Sequence, residues 1–294
     1  MVTKIRAAVG RLVHQPQLNY LLTNRIPRRR LTLFMAWFSK RQHPLVRVPS
    51  IALWKFFADV DLSDARQRRF RSLHDCFIRE LRSGARPVDP RPDILVSPCD
   101  AIVGAVGTVR DGTVLQAKGR PYAVAELLAD PELARQYAGG RYVTLRLTAG
   151  MYHRMHAPAD CTVEQVTYIG GDTWNVNPAA LQRIDRLYCR NERAVVRCRM
   201  GSGTLITLVP VAAILVASIR LHCLQRHLHL RYRGPRVIRC AAPYRRGDEL
   251  GWFEHGSTIV MFVPAGFELV PGLSSGGRVR MGQALFAPAV RPSA

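Results

Sequence analysis

Three short segments of the chain carry side chains able to do covalent chemistry. Tyr152-His-Arg-Met-His-Ala-Pro holds two imidazoles three residues apart, His153 and His156. They share a face if the backbone there is helical or tightly turned, and point oppositely in a strand. Ser97-Pro-Cys-Asp-Ala-Ile-Val sets Asp100 in a turn just ahead of an apolar run, where a carboxylate can orient an imidazole. Leu250-Gly-Trp-Phe-Glu-His-Gly-Ser-Thr-Ile-Val-Met-Phe places Gly-Ser-Thr immediately before an apolar strand. Gly256 can take backbone angles closed to other residues, so a strained peptide bond can be presented there. Serine, histidine and aspartate are the parts of an activated nucleophile. Taken singly, each segment is ordinary: Gly-Ser and Ser-Pro-Cys-Asp are common turns, and paired histidines are more often hydrogen-bonded than ligating. No third ligand accompanies the His-x-x-His pair, so a metal is not indicated.

The three segments occur together, in an order that resembles the phosphatidylserine decarboxylases, from about Arg79 to Gly282-Gln283. Leu115-Gln-Ala-Lys-Gly, Trp174-Asn-Val-Asn-Pro, Arg190-Asn-Glu-Arg and Val209-Pro-Val-Ala-Ala-Ile-Leu-Val-Ala-Ser-Ile belong to the same pattern. The resemblance implies self-cleavage between Gly256 and Ser257, with Asp100, His156 and Ser257 as the cleaving triad and His153 acting in decarboxylation. Three departures stand out: His255 replaces the usual Leu before Gly-Ser-Thr, Ala101 the Gly expected after Asp100, and Pro158-Ala-Asp-Cys the usual Pro-x-x-Gly. His255 puts a second imidazole beside the scissile bond and is an alternative base.

The chemistry so implied begins with His156, oriented by Asp100, taking the Ser257 hydroxyl proton while the oxygen attacks the Gly256 carbonyl to give an ester. β-Elimination frees the Gly256 carboxylate, and hydrolysis of the dehydroalanine leaves a pyruvoyl group and ammonia. Residues 1–256 (β chain) and 257–294 (α chain) result. The pyruvoyl ketone, the only cofactor, forms a Schiff base with phosphatidylserine and draws in the electron pair as CO2 departs. His153 protonates the product carbon, giving phosphatidylethanolamine.

The elements that must position these residues fall into two regions. Residues 1–85 alternate basic clusters with aromatic and aliphatic patches: Arg28, Arg29 and Arg30 precede Leu31 to Phe38, then come Lys40 and Arg41, then Ile51, Trp54, Phe56 and Phe57. This pattern predicts amphipathic helices that associate with a membrane surface. Residues 86–294 read as a β-rich catalytic domain of short apolar runs at Ile94–Val96, Ile102–Val106, Tyr142–Leu147, Val163–Ile169, Ala194–Cys198, Leu205–Ile219 and Thr258–Val263. Helices are predicted at Ala123–Ala129 and Pro178–Leu187. The fold class expected is therefore α+β. The run Leu205–Ile219 is short of the roughly 20 residues that span a bilayer, carries Pro210 and is rich in β-branched residues, so it reads as buried strand.

The formal net charge is +22, and residues 1–50 hold ten basic side chains and no acidic one. Such a block predicts an anionic partner, lipid or nucleic acid. Interleaving with Leu, Phe and Trp favours a phosphatidylserine-bearing anionic membrane over nucleic acid. The expected location is the cytoplasmic face of the cell (inner) membrane, bound peripherally. The resemblance further implies a heterodimer of the two cleaved chains that dimerises again. Seven cysteines without a C-x-x-C pair suit a reducing compartment. Other readings stay open: a biotinyl- or lipoyl-like carrier attached at Lys118, a basic nucleic-acid-binding protein, or the same chemistry on a soluble amino acid. Arg190, Asn191 and Arg193 are read as solvated charges or as a phosphate contact.

Overall fold

The computed structural model describes residues 27–58, 60–117, 120–215, 218–254 and 258–289. His255, Gly256, Ser257 and Lys118 lie outside the described residues, as does most of the basic segment before Pro27.

An eight-stranded antiparallel sheet forms the body. Its strands are β2 (Ala101–Thr108), β5 (Arg141–Arg146), β7 (Cys161–Ile169), β8 (Arg193–Met200), β9 (Leu205–Val211), β11 (Val237–Tyr244), β13 (Thr258–Val263) and β15 (Arg278–Val279), in the spatial order β11-β7-β8-β9-β13-β5-β2-β15. Every residue of β9 and β13 is buried, which is why these two read as continuous apolar runs rather than as alternating strands. Smaller sheets flank the body: β1 (Leu95–Val96) with β14 (Phe267–Leu269) and β16 (Ala284–Pro288), and β6 (Arg154–His156) with β10 (Ile219–Leu221) and β12 (Glu249–Phe253). β3 (Thr113–Ala117) and β4 (Arg120–Ala123) make a hairpin. A β-rich α+β fold is thus observed.

Two predicted elements divide. The apolar run from Leu205 ends its first strand at Val211, turns at Leu215 with φ +69°, and resumes as β10 in a different sheet. Leu215 N–H donates to Thr32 Oγ1 at 3.0 Å, so a helix of the N-terminal region holds the turn. Pro210 lacks an N–H, and the pairing of β9 with β8 lapses beside it at Val209 and Pro210. The helix predicted over Pro178–Leu187 stops at Arg183, and a second begins at Leu187 after Arg186 with φ +53°. The buried Gln116 side chain spans that break, donating to the Leu181 and Ile184 carbonyls and accepting from Leu187 N–H. Those helices are α6 (Pro178–Arg183) and α7 (Leu187–Arg190); α4 (Val124–Leu128) and α5 (Pro131–Arg135) precede them.

The N-terminal region holds α1 (Arg28–Phe38), α2 (Pro44–Ala58) and α3 (Leu73–Phe77). Ile51 and Trp54 on one face of α2 pack on Ala65, Phe70 and Cys76. The other face leaves Leu45, Val48, Leu53 and Phe57 exposed, and α1 exposes Phe34 and Trp37.

Candidate active site

The three chemistry-bearing segments converge by backbone hydrogen bonds. His156 N–H donates to the Pro98 carbonyl at 2.8 Å and Val96 N–H to the Pro158 carbonyl at 2.9 Å, seating the Asp100 turn beside β6. Gly282 N–H and the Ser97 carbonyl pair at 3.0 Å, and Met281 N–H donates to Asp100 Oδ1 at 2.9 Å. β12 runs antiparallel to β6, and Phe253 N–H reaches the His153 carbonyl at 3.1 Å. The chain therefore leaves His153 only a few residues before the predicted scissile bond and re-enters the described structure at Thr258.

Thr258 opens β13 between Arg146 of β5 and Val211 of β9. Just past those flanking residues the two strands line a cavity of about 380 Å³ with Leu147, Thr148, Ala213 and Leu215, and Trp54 and Phe77 form part of its wall. Phe77 also stacks on the fully buried His153 ring, centroids 3.9 Å apart. His153, the start of β13 and this cavity thus belong to one neighbourhood.

β6 is extended, so the two histidines do not share a helical face. His153 meets Phe77, while His156 turns to Tyr152 and the Arg245–Asp248 turn. His156 Nδ1 lies 2.8 Å from the Gly247 carbonyl, which can only accept; Nδ1 therefore carries the proton, and Nε2 accepts from the Tyr152 hydroxyl at 3.0 Å. Burial lowers the pKa of His156 and raises that of Tyr152, so the imidazole is neutral and the phenol remains a donor.

Contrary to the expectation from sequence, Asp100 does not hold His156; among the described residues its partners are Arg86 and Met281 N–H. Arg86 Nη2 and Nε reach its carboxylate at 2.7 and 3.0 Å, and Arg86 also pairs with Asp64 at 2.8 Å. The Gly247 carbonyl does for His156 what Asp100 was expected to do. Asp100 and Tyr152 nevertheless line one polar cavity.

The Arg190-Asn-Glu-Arg run is also resolved differently from expectation. Arg193 is buried and spends its guanidinium on the carbonyls of Leu127, Cys189, Asn191 and Glu126. Asn191 bridges Trp174 and Ala212, tying the 173–177 loop to the end of β9. Only Arg190 is exposed.

Several residues at the site were not singled out from sequence. Glu254, the last described residue before the predicted cleavage bond, is buried and ion-paired with Lys40 at 3.1 Å and His74 at 3.3 Å. Burial pushes its carboxyl up, but the hydrogen bonds and charges of His74 and Lys40 outweigh that and bring it to about 2. Arg154 joins α3 to β12, donating to the Ile78 carbonyl and to both Glu249 oxygens. Lone charges of these types carry no pattern a sequence reader could separate from surface residues. Among the described residues no group of three His, Cys, Asp or Glu side chains is arranged to hold a metal.

A sequence model described as phosphatidylserine decarboxylase matches residues 73–287. The chain belongs to the phosphatidylserine decarboxylase family. It is 32% identical to the phosphatidylserine decarboxylase proenzyme of Yersinia enterocolitica over 286 residues, covering 92% of this chain and 94% of that protein. The proenzyme of Brevibacillus brevis is 35% identical over 231 residues, 77% of this chain and 82% of its own length. That of Pseudomonas fluorescens is 36% identical over 248 residues, 80% and 85% of the two chains. Family membership accounts for the ordered set of motifs, and all three chemistry-bearing segments fall within the matched region.

Proposed function

We propose that the protein is a phosphatidylserine decarboxylase, made as a proenzyme and matured by cutting itself between Gly256 and Ser257. Relatives of that name along most of the chain support the activity. The observation that carries the site is the cavity beside Thr258, where β5 and β9 flank the resumption of the chain and Phe77 backs His153.

In the cleavage step the base is His156. Its Nδ1–H is anchored on the Gly247 carbonyl and its Nε2 lone pair holds the Tyr152 hydroxyl, so it takes the Ser257 hydroxyl proton through that phenol, which passes its own proton to Nε2 as the serine oxygen adds to the Gly256 carbonyl. Asp100 contributes a carboxylate fixed by Arg86 and by Met281 N–H. A pyruvoyl carbonyl at position 257 supplies the electrophile for an amine substrate and the sink for the electrons released with CO2. The cavity fits such a group: it adjoins residue 258, and most of its lining side chains are apolar. His153, pinned by Phe77, delivers the proton to the carbon that loses CO2. The two chains remain one body, because β13 is the central strand that the second chain contributes to the sheet. We further propose that pairs of these heterodimers associate, and that the enzyme sits peripherally on the cytoplasmic face of an anionic membrane. No helix among the described residues is long and apolar enough to cross one.

Intact mass spectrometry tests the assignment. Wild type is expected as fragments 1–256 and 257–294, Ser257→Ala and His156→Ala as uncut chains, and His153→Ala as a cut protein with little CO2 release. Normal maturation of His156→Ala moves the base to His255. Full-length, carbonyl-free wild type that still decarboxylates aminophospholipid sinks the mechanism.

A further inference from the structure

Arg79, just after α3, is buried at 6% exposure. Its Nη2 donates to the carbonyls of Gly150 at 3.1 Å and Asp61 at 3.4 Å, but Nε and Nη1 meet no hydrogen-bonding partner among the described residues. No carboxylate there pairs with it. The Asp61 carboxylate accepts from Ser63 N–H at 2.8 Å, and Asp64 and Asp100 are both taken by Arg86. Asp61 and Asp100 act on Arg79 only at a distance, and a guanidinium withdrawn from water with two bare donors is unfavourable unless something else satisfies them.

Arg79 lines a polar cavity of about 270 Å³ together with Arg86, Tyr152, Thr148 and exposed Arg278 and Arg280, and with Asp61, Asp64 and Asp100, the last two neutralised by Arg86. That space exceeds what a few waters need. Thr148 lines both this cavity and the apolar one beside Thr258, so the two adjoin across the 147–152 loop. Four arginines and three aspartates line the cavity, and Arg86 already answers Asp64 and Asp100, so an oxyanion is the partner whose charge suits the remaining arginines.

We propose that this cavity is an anion subsite in which Arg79 binds the phosphodiester of the substrate headgroup, an inference that rests on the decarboxylase reading above. The substrate carries a second anion, its α-carboxylate, but that charge vanishes as CO2 leaves. A buried arginine clamped on it stabilises the ground state more than the transition state and raises the barrier. The phosphodiester keeps its charge throughout, so binding it there lowers KM without that penalty. Two arginine N–H groups on a phosphate oxygen are charge-assisted hydrogen bonds.

The test uses fully matured protein, normalised to its carbonyl content, with two amine substrates in mixed micelles: phosphatidylserine, and O-decylserine, which keeps the amine and carboxylate but lacks the phosphodiester. Arg79→Gln is expected to lower kcat/KM for phosphatidylserine about 30-fold, mainly through KM, and for O-decylserine less than about threefold. Arg79→Lys recovers part of the loss. Glycerophosphoserine raises the melting temperature of wild type and not that of Arg79→Gln. Equal losses on both substrates overturn the proposal in favour of a carboxylate or purely structural role. Wild type unprotected by glycerophosphoserine overturns it whether or not the variant folds. Inorganic phosphate that protects as well, with no split between the substrates, assigns the cavity to free phosphate and also overturns it. Wild type that releases CO2 from neither substrate instead defeats the decarboxylase reading, while protection by glycerophosphoserine still judges the cavity.

Discussion

His156 shows how a single side chain is set for its task by the backbone around it. The Gly247 carbonyl fixes the proton on Nδ1, and burial favours the uncharged ring. Because the folded pKa lies below the ordinary 6.5, the neutral, proton-accepting form persists to lower pH than in an exposed histidine. The sign is therefore definite: self-cleavage measured by intact mass against pH falls off on its acid side with a midpoint under 6.5, and a midpoint above that value contradicts the assignment. Stability follows the same direction, since unfolding exposes a ring that binds protons more readily, and this contribution is lost as pH falls below 6.5. Asp100 makes a different prediction. Its carboxylate answers a nearly buried Arg86, so Asp100→Ala strands part of that charge and lowers unfolding free energy by about 3 kcal/mol in urea titrations. Adding Arg86→Met recovers much of the stability but not cleavage, separating the ion pair's structural effect from the carboxylate's part in the chemistry.

Elements bring these residues together, and not all of that was legible in the chain. The strands with continuous or alternating apolar runs could be read, because burial on one or both faces writes itself into composition: Thr258–Val263 is β13, and Val124, Leu127 and Leu128 mark α4. β12 could not be read, since its place depends on distant partners. Gly251 is its key residue: a β-carbon there falls 1.9 Å from the Arg220 carbonyl of β10, at φ +155°. Gly251→Ala is expected to cost about 3 kcal/mol or more and to leave the chain uncut, as read by melting temperature and by mass. The candidate site was legible as a set of residue types but not as contacts. Histidines at i and i+3 gave no sign that β6 would be extended, and no local pattern assigned Asp100 to Arg86. Likewise, α3 presents His74 to Glu254 and Phe77 to His153. Glu254 titrates near 2 instead of its ordinary 4.5, so its stabilisation, on the order of 3 kcal/mol, is complete above pH 4.5 and fades as pH drops toward 2. Glu254→Gln should therefore be less stable than wild type at pH 7 and nearly equal to it near pH 2, by denaturant titration at each pH.

At the scale of the whole molecule, the N-terminal helices have two unlike faces. Inward, α2 packs through Ile51 and Trp54, Trp54 meets Phe77, and Lys40 reaches Glu254. Outward, Leu45 is 80% exposed and Leu53 60%, alongside Val48, Phe57, Phe34 and Trp37. Large apolar side chains exposed in that number mark an interaction site, and the basic side chains of residues 1–50 favour an anionic one. The two contributions separate by salt. Attraction of the basic residues to anionic lipid weakens as ionic strength rises, whereas burial of Leu and Phe, about 1.5–3 kcal/mol each, does not. Leu45→Gln with Phe57→Gln, which removes apolar area without changing charge, is expected to reduce partitioning onto phosphatidylserine vesicles by about 100-fold in flotation assays at both low and high salt. Both positions are exposed and far in sequence from the cleavage bond, so intact mass should still show two fragments. Loss of self-cleavage together with membrane binding would instead mean that the outer face of α2 supports the fold, and the proposed docking surface would have to be abandoned.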